Sequence, residues 1–357
     1  MSATLVIAEA GVNHNGSLAT ARALIDAAAE AGADLVKFQS FQADALVTAE
    51  ADKADYQREN TGSGGSQAEM LRALEIDAVG HHALAEHCRA RGIGFFSTAF
   101  DFASLELLAA MELPFVKVPS GDISFGPMLL RMARLGKPIL LSTGMSDLAD
   151  IEAALAVLAY GLTRDGEPSG RSDLEAAYAS GEGKAALQRQ VTILHCVTEY
   201  PCPPEDVNLR AMDAIAEAFG LAVGYSDHSL GIAVPIAAVA RGARVIEKHL
   251  TLDRTMPGPD HAASLEPDEF KAMVAGIRTV ERALGVREKR PNEAEMSNRT
   301  VARRSLVAAR PIRRGETIAA GMIACKRPAV GLSPLAYWDL LGTQAPRDYA
   351  ADEALDG

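Results

Sequence analysis

The feature that most constrains the fold is an alternation of β-rich and helical runs that repeats eight times. The β-rich runs lie at residues 4–10, 33–40, 92–100, 114–120, 138–144, 191–197, 221–227 and 243–249. Ala- and Leu-rich stretches with helical periodicity, such as 18–33 and 104–112, separate them. This repetition over roughly 250 residues is typical of a (β/α)8 TIM barrel of the α/β class. A doubly wound open sheet is the alternative, but no Gly-rich dinucleotide turn follows the first β-rich run.

The chain changes character after residue 285. We predict a barrel over 1–285, a polar linker over 286–302 and a small β-rich domain over 303–357, where short strands and turns replace long helices. Within the barrel, the connection over 41–75 is long enough to be a functional lid, and a disordered insertion is the alternative. A second long connection, 163–190, is predicted to be a structural excursion with a short helix.

Composition excludes several classes of protein. The net charge is −12 and no basic patch is interleaved with aromatic residues, so nucleic acid is not an expected partner. The apolar runs are short and contain Gly, Pro or charge, so no membrane partner is expected. The four cysteines form no CxxC pair, and no signal peptide is evident, which together favour a cytoplasmic protein with reduced thiols.

Polar residues recur at the carboxyl ends of the predicted strands, where the active sites of barrels lie. They include Glu9, Lys37, Gln39, Thr98, Lys117, Ser120, Asp122, Ser142, Thr198, Tyr200, Ser226, His228 and His249. A purely structural barrel core would not need them, and burying them unpaired would be costly. Lysines with several hydroxyl groups predict a floor that binds a phosphate or carboxylate. Structural salt bridges from Lys37 to Glu9 and from Lys117 to Asp122 are the alternative.

Two histidines end the last two predicted strands. His228 and His249 could converge on one ion, and imidazole suits divalent Zn, Mn, Fe or Co. The turn at Pro257, Gly258 and Pro259 then holds Asp260 near them. An anionic substrate and a metal-activated carbonyl or water would suit this arrangement.

The same residues carry a family resemblance over almost the whole chain. The chain resembles the sialic acid synthase family, which includes N-acetylneuraminate and legionaminate synthases. The matching motifs are EAGVNHNGS at 9–17, LVKFQ at 35–39, FFSTAF at 95–100, KVPSGD at 117–122, LSTGM at 141–145, HCVTEYP at 195–201, GYSDH at 224–228, IEKH at 246–249, PGPDH at 257–261 and KRP at 326–328. The resemblance implies that the β-rich tail is an antifreeze-like domain of the SAF, or β-clip, type.

The resemblance also implies a reaction. Phosphoenolpyruvate would condense with the open-chain aldehyde of an N-acyl mannosamine-type sugar, with water consumed and phosphate released. A divalent metal on His228 and His249 would assist, with Mn²⁺ expected and Mg²⁺ or Co²⁺ as alternatives.

The resemblance also implies roles for individual residues. By the same resemblance, the residues that hold phosphoenolpyruvate are Lys37, Thr98, Lys117, Ser120, Ser142 and Ser226. The catalytic candidates near the sugar or the reacting water are Glu9, Tyr200 and Asp260, and the resemblance does not choose a proton-transfer group between Glu9 and Asp260. Arg327 matches an arginine supplied to the neighbouring subunit's site, which implies a domain-swapped homodimer.

Departures from the N-acetylneuraminate type concern the sugar. Thr198 stands where Asn is usual in that type, and Asp122 stands where Glu is common. The runs at 198–201, 207–212 and 258–267 look more like legionaminate synthases, so a 2,4-diacetamido-2,4,6-trideoxymannose is the expected substrate, with N-acetylmannosamine as the alternative.

Other classes of function compete with a synthase. A lysine Schiff-base aldolase would use Lys37 or Lys117 as the nucleophile. A metal-dependent hydrolase on such a barrel would carry an HxH pair on the first strand, which this chain lacks. A non-catalytic binding protein would not need so many polar strand ends.

Overall fold

The computed structural model describes residues 3–48, 50–61 and 64–356. The chain divides into two compact units, Met1–Gly285 and Val286–Gly357, and each is described by itself.

The first unit is built on one parallel sheet of eight strands. The strands are Leu5–Gly11 (β1), Leu35–Ser40 (β2), Gly94–Ala99 (β3), Val116–Val118 (β4), Ile139–Ser142 (β5), Val191–His195 (β6), Ala222–Asp227 (β7) and Val245–His249 (β8). Their order is β3-β2-β1-β8-β7-β6-β5-β4, and the two end strands, β3 and β4, lie against each other. The sheet is therefore a nearly closed barrel, which confirms the predicted fold. Each strand falls on a predicted run, and only β1 extends beyond its run, by one residue.

Helices follow the strands around the barrel. They are Leu18–Ala31 (α1), Ala43–Leu46 (α2), Asp55–Thr61 (α3), Gln67–Arg72 (α4), Ala78–Arg91 (α5), Phe102–Ala109 (α6), Gly126–Ala133 (α7), Leu148–Thr163 (α8), Arg171–Ala179 (α9), Gly181–Gln190 (α10), Ala211–Phe219 (α11), Ala233–Ala240 (α12) and Pro267–Leu284 (α13). Local sequence sets their ends. The side chain of Ser17 accepts a hydrogen bond from the backbone N–H of Thr20 at the start of α1, and Gly32 ends that helix in the left-handed conformation at φ 84°.

The alternation of side chains along each strand separates the core from the site. In β2, Val36 and Phe38 point outward and are fully buried, whereas Lys37 between them points into the barrel. The main hydrophobic core thus lies between the sheet and the helices. The barrel interior is left for polar residues.

The two long connections are structured where the structure describes them. Residues 41–75 contain three short helices, α2 to α4. The described part of this segment is therefore not the disordered insertion that was the alternative. The connection over 163–190 contains two helices, α9 and α10, where one short helix was predicted.

The second unit has its own small core. It contains helix Glu293–Ala302 (α14), strands Ser305–Ala308 (β9) and Ile323–Lys326 (β10), which pair antiparallel, and the short helix Tyr337–Leu340 (α15). Leu306, Ile312 and Leu355 are almost completely buried in it. The predicted linker at 286–302 includes the whole of α14, so part of it is helical. Among the residues that the structure describes, no helix has the length and apolar character needed to cross a membrane.

Candidate active site

The carboxyl ends of the barrel strands surround a cavity of about 220 Å³. Thirteen of the fifteen predicted site residues line it, namely Glu9, Lys37, Gln39, Thr98, Lys117, Ser120, Ser142, Thr198, Tyr200, Ser226, His228, His249 and Asp260. Asp122 lies outside the wall that the described residues form, and Arg327 belongs to the second unit. Residues that are far apart in the sequence are therefore brought into one cavity.

Strand alternation explains which polar residues reach this cavity. In β8, Glu247 and His249 point into the barrel, while Lys248 between them points outward. In β7, Ser226 points inward, and the next residue, Asp227, points outward and pairs with Lys248. A run of consecutive polar residues at a strand end thus divides between the site and the outer side of the barrel.

The floor of the cavity is a cluster of two lysines and two glutamates, which we call the interior cluster. Lys37 Nζ lies 2.7 Å from Glu9 Oε2 and 3.8 Å from Glu247 Oε2. Lys117 Nζ lies 2.9 Å from Glu247 Oε1, which also accepts a hydrogen bond of 3.0 Å from Ser226 Oγ. The predicted pair of Lys37 with Glu9 is present. Lys117 pairs with Glu247 instead of the predicted Asp122, because Glu247 points into the barrel.

The two glutamates of this cluster differ in charge. Burial raises the pKa of Glu9 to about 7, although Lys37 opposes the change. Burial alone would also raise the pKa of Glu247, but Lys117 and Lys37 lower it to about 2. Burial would lower the pKa of Lys37, yet Glu247 and Glu9 raise it. When Glu9 is neutral, the floor carries more positive than negative charge, which suits an anionic ligand.

Hydroxyl groups surround this floor. Thr98 Oγ1 accepts a hydrogen bond of 3.0 Å from Lys37 Nζ, and Ser120 Oγ accepts one of 2.9 Å from the backbone N–H of Gly144. The Oγ atom of Ser142 is buried and has no hydrogen-bond partner among the described residues. Such a donor, in the same cavity as two lysines, can bind an oxygen of a phosphate or carboxylate.

Two imidazoles and a phenol form one side of the cavity. The ring centroids of His228 and His249 are 5.5 Å apart, and the ring of Tyr200 lies 4.1 Å from His228 and 5.8 Å from His249. Burial lowers the pKa of His228 to about 4 and that of His249 well below its usual value. Both rings are therefore neutral near pH 7, which is the form that coordinates a metal.

The histidine pair supplies two of the ligands that a divalent ion needs. His228 Nδ1 lies 2.5 Å from the carbonyl oxygen of Val197. This contact leaves the other ring nitrogen, Nε2, as the one that could bind a metal. His249 Nδ1 is buried without a hydrogen-bond partner among the described residues, and Asp260 Oδ2 is 3.9 Å from it. Within the described ranges, no three His, Cys, Asp or Glu side chains are arranged to hold a metal. Two imidazoles would thus need water or substrate to complete the coordination.

Thr198, one of the two residues that depart from the N-acetylneuraminate pattern, is exposed, and its hydroxyl group lies close to Gly144. A Cβ atom on Gly144 would lie 2.1 Å from Thr198 Oγ1, 3.0 Å from Ser120 Oγ and 3.2 Å from Cys196 Sγ. Only glycine at position 144 allows these three side chains to meet at the cavity wall.

Asp122 lies on the short 3-10 turn Ser120–Asp122, beside the cavity. Its Oδ2 atom is buried without a hydrogen-bond partner among the described residues, and burial raises the pKa of Asp122 to about 6. Ser120 and Gly121, and not Asp122, line the adjacent wall, and the predicted contact of Asp122 with a substrate stays a prediction.

Family comparisons agree with this geometry. Residues 24–289 match the NeuB family, and residues 303–356 match the SAF domain. The chain belongs to the NeuB family. The resemblance to sialic acid synthases with an antifreeze-like domain, predicted from motifs, is thereby confirmed.

Several relatives are similar to this chain over most of their length. The chain is 45% identical to the N,N'-diacetyllegionaminic acid synthase of Campylobacter jejuni, with 99% of each chain covered. It is 40% identical to the enzyme of the same name from Legionella pneumophila, covering 98% of this chain and 92% of that one. Among solved structures, an N-acetylneuraminic acid synthetase from Leptospira borgpetersenii, in complex with citrate, is 30% identical with a TM-score of 0.67, covering 83% of this chain and 90% of that one.

The SAF domain carries the last predicted site residue. Arg327 follows β10 and is exposed in the second unit. Its predicted role in a neighbouring subunit stays a prediction.

Two contributions to the cavity were not predicted from the sequence. Glu247 was not assigned to the site, although its spacing of two from His249 places both on one face of the strand. The segment 41–75 supplies Gln57, Met70, Leu71 and Leu74 to the wall. No chemical motif marks these four residues, and the length of the connection, which predicts a functional lid, does not single them out.

Proposed function

We propose that this chain is a nonulosonic acid synthase that condenses phosphoenolpyruvate with an N-acyl mannosamine-type sugar and water, releasing phosphate. The favoured product is N,N'-diacetyllegionaminate, made from 2,4-diacetamido-2,4,6-trideoxymannose. The observation that carries the proposal is the interior cluster below the histidine pair in one cavity. The identities of 45% and 40% to two N,N'-diacetyllegionaminic acid synthases support the choice of product.

Phosphoenolpyruvate would bind at the floor. Lys37 and Lys117 would pair with its phosphate and carboxylate, and Ser142, Ser226 and Thr98 would donate hydrogen bonds to the same oxygens. The carboxylate of Glu247 stands between the two lysines and would hold their ammonium groups in place before the ligand arrives. Preorganised cations of this kind reduce the cost of binding an anion in a buried site.

The sugar would bind above, with its aldehyde towards His228 and His249. When bound by these two imidazoles, a divalent ion would act as a Lewis acid on the aldehyde oxygen. Mn²⁺ is the expected metal, with Mg²⁺ and Co²⁺ as alternatives. Tyr200 packs on both rings and would fix their orientation while closing this side of the cavity.

Proton transfer would fall to Glu9 or Asp260. As the methylene carbon of phosphoenolpyruvate attacks the aldehyde, water must add to the neighbouring carbon and lose a proton, and the aldehyde oxygen must gain one. Burial raises the pKa of Glu9 to about 7 and that of Asp260 to about 6, so both can exchange protons near neutral pH.

A second copy of the chain would complete the site in a domain-swapped homodimer. Large apolar side chains are exposed in the strand-end loops of the barrel, at Met145 and Leu230, and in the SAF domain, at Leu335 and Trp338. A subunit interface would cover such residues. Mixing an Arg327→Ala variant with a Lys37→Met variant should restore part of the activity through hybrid dimers, and failure to do so would count against a shared site.

A Schiff-base aldolase remains the alternative chemistry. Its lysine nucleophile needs a low pKa, whereas Glu247 and Glu9 raise that of Lys37. Borohydride treatment in the presence of pyruvate should therefore leave no covalent adduct on the protein, and an adduct on Lys37 or Lys117 would favour the aldolase.

The experiment that tests the proposal is phosphate release from phosphoenolpyruvate in the presence of Mn²⁺. N-acetylmannosamine and 2,4-diacetamido-2,4,6-trideoxymannose are compared, each with and without EDTA. We expect faster release with the trideoxy sugar and loss of release with EDTA. Faster release with N-acetylmannosamine would instead make this an N-acetylneuraminate synthase, and no release with either sugar would contradict the proposed activity.

A further inference from the structure

One side of the cavity is mainly apolar, in contrast to the charged floor, with Gln57 as a polar neighbour from the same connection. Val12, Met70, Leu71, Leu74 and Phe100 line it, and we call these five residues the apolar wall. Val12 and Leu74 are buried, whereas Met70, Leu71 and Phe100 are only half-buried. Three apolar side chains thus keep part of their surface exposed to the inside of the cavity.

The apolar wall is firmly supported from behind. Its residues form a hydrophobic cluster with Phe41 that is separate from the main core of the barrel. The rings of Phe41 and Phe100 meet edge to face with their centroids 6.2 Å apart. Because the wall is packed from behind, its exposed surface is a fixed feature of the cavity and not the side of a loose loop.

The strand order places this wall over β1, β2 and β3, beside the strands of the histidines. Val12 and Phe100 follow β1 and β3, and the other three residues lie on α4 and just after it, in the connection that follows β2. His228 directly follows β7 and His249 ends β8, and these two strands continue the sheet order on the other side of β1. Because wall and histidines line the same cavity, a sugar whose aldehyde carbon lies at the histidines can place its far end against the wall.

From this arrangement we infer that the apolar wall binds the deoxygenated end of the sugar and selects a 6-deoxy substrate. The inference rests on the proposed function and adds the residues that would contact the C6 end of the sugar and determine the preference. None of the five side chains carries a nitrogen or oxygen. A C6 hydroxyl group lying against them would lose its hydrogen bonds to water and gain none from these side chains. A methyl group at C6 would cover the half-exposed surfaces of Met70 and Leu71.

A matched pair of sugars isolates this contact. N-acetylmannosamine and 2-acetamido-2,6-dideoxymannose differ only in the C6 hydroxyl group. We measure kcat/KM for phosphate release with phosphoenolpyruvate and Mn²⁺, and we expect the protein to prefer the 6-deoxy sugar by roughly 10- to 100-fold. Use of both sugars at equal rates would overturn the inference.

Substitutions in the wall test which residues are responsible. Leu71→Asn and Met70→Gln each place an amide in the wall, and each should reduce the preference for the 6-deoxy sugar at least about 5-fold. The matched control is Leu284→Asn at the end of α13, where the leucine is 39% exposed and outside this cavity, and it should leave the preference unchanged. Thermal melting identifies a variant that does not fold. The preference for the 6-deoxy sugar is then judged from the other wall variant.

The outcomes separate the inference from the activity on which it rests. If both wall variants slow the two sugars in the same proportion, the synthase activity stands and the inference fails. If the unmodified protein releases no phosphate with these sugars or with 2,4-diacetamido-2,4,6-trideoxymannose, the proposed function fails and the inference fails with it.

Discussion

Two buried charge clusters lie on neighbouring strands of the same barrel, on opposite sides of its wall. The outer cluster consists of Lys248 and Asp227, which are both fully buried, together with Tyr225 and Ser229. Lys248 Nζ lies 2.7 Å from Asp227 Oδ2 and also donates to the carbonyl oxygen of Ser229. The other carboxylate oxygen of Asp227 accepts hydrogen bonds from Tyr225 Oη at 3.1 Å and from the backbone N–H and Oγ of Ser229 at 2.9 and 2.7 Å.

The interior cluster is less complete. Glu247 Oε2 has no hydrogen-bond partner among the described residues, and the same holds for the adjacent Ser142 Oγ. Buried polar groups are normally satisfied, and a cluster that is only partly satisfied beside a cavity is one that a ligand can complete. The comparison therefore assigns a structural role to the outer cluster and a binding role to the interior cluster.

The largest expected effect is on stability, in the outer cluster. Lys248→Met leaves the Asp227 carboxylate buried without its cation, and we expect the free energy of unfolding to fall by about 3–5 kcal/mol. Urea unfolding followed by circular dichroism measures it. Adding Asp227→Asn to the same protein should recover part of the loss, because no charge is then unpaired. A loss under about 1 kcal/mol would contradict the structural role.

The next effect is on activity, in the interior cluster. Lys37→Met removes one of the two cations expected to hold phosphoenolpyruvate, and kcat/KM for phosphate release should fall by about 10²–10³-fold. Its stability should change less than that of Lys248→Met, because Glu9, the partner left behind, can become neutral. If Lys37→Met lowered the free energy of unfolding as much as Lys248→Met and kept its activity per folded molecule, the interior cluster would have a structural role and not a binding role.

A smaller effect concerns the pH dependence of stability. The pKa of Glu9 is raised by burial from 4.5 to about 7, so the folded protein binds this proton more tightly than the unfolded chain does. The stability of the natural protein relative to Glu9→Gln should therefore decrease as the pH rises from about 4.5 to about 7, by on the order of 2–3 kcal/mol. Unfolding curves of the two proteins at a series of pH values measure this difference. An unchanged difference would mean that Glu9 titrates normally and lies outside the low-dielectric floor.

The smallest effect is expected at Asp122, which lies beside the cavity and not in its wall. Asp122→Asn should change kcat/KM by less than about 3-fold, since Asp122 is not among the residues that line the cavity. Burial raises the pKa of Asp122 to about 6, so the Asn variant should gain a little stability above pH 6 and none at pH 4. A loss of activity near 100-fold would support the substrate contact that the family resemblance implies.

The sequence was sufficient for the barrel because strand and helix periods differ clearly, and the structure places a strand at each of the eight predicted runs. The histidine pair and Lys37 were predictable because they stand at strand ends. The pairing of Lys117 with Glu247 was not predicted, because cross-barrel partners depend on how the strands are staggered around the barrel. The apolar wall was also missed, since Met70 and Leu71 come from a connection whose path no local pattern determines.

The most direct test of the two assignments is the binding of phosphoenolpyruvate itself, measured by isothermal titration calorimetry with EDTA present so that no metal contributes. The natural protein, Lys37→Met and Lys248→Met are compared, each at a temperature where it is folded. The interior cluster predicts that Lys37→Met weakens binding at least about 30-fold, while Lys248→Met binds like the natural protein. Binding of normal strength by Lys37→Met would contradict the claim that the buried lysines of the barrel interior are the site of the anionic substrate.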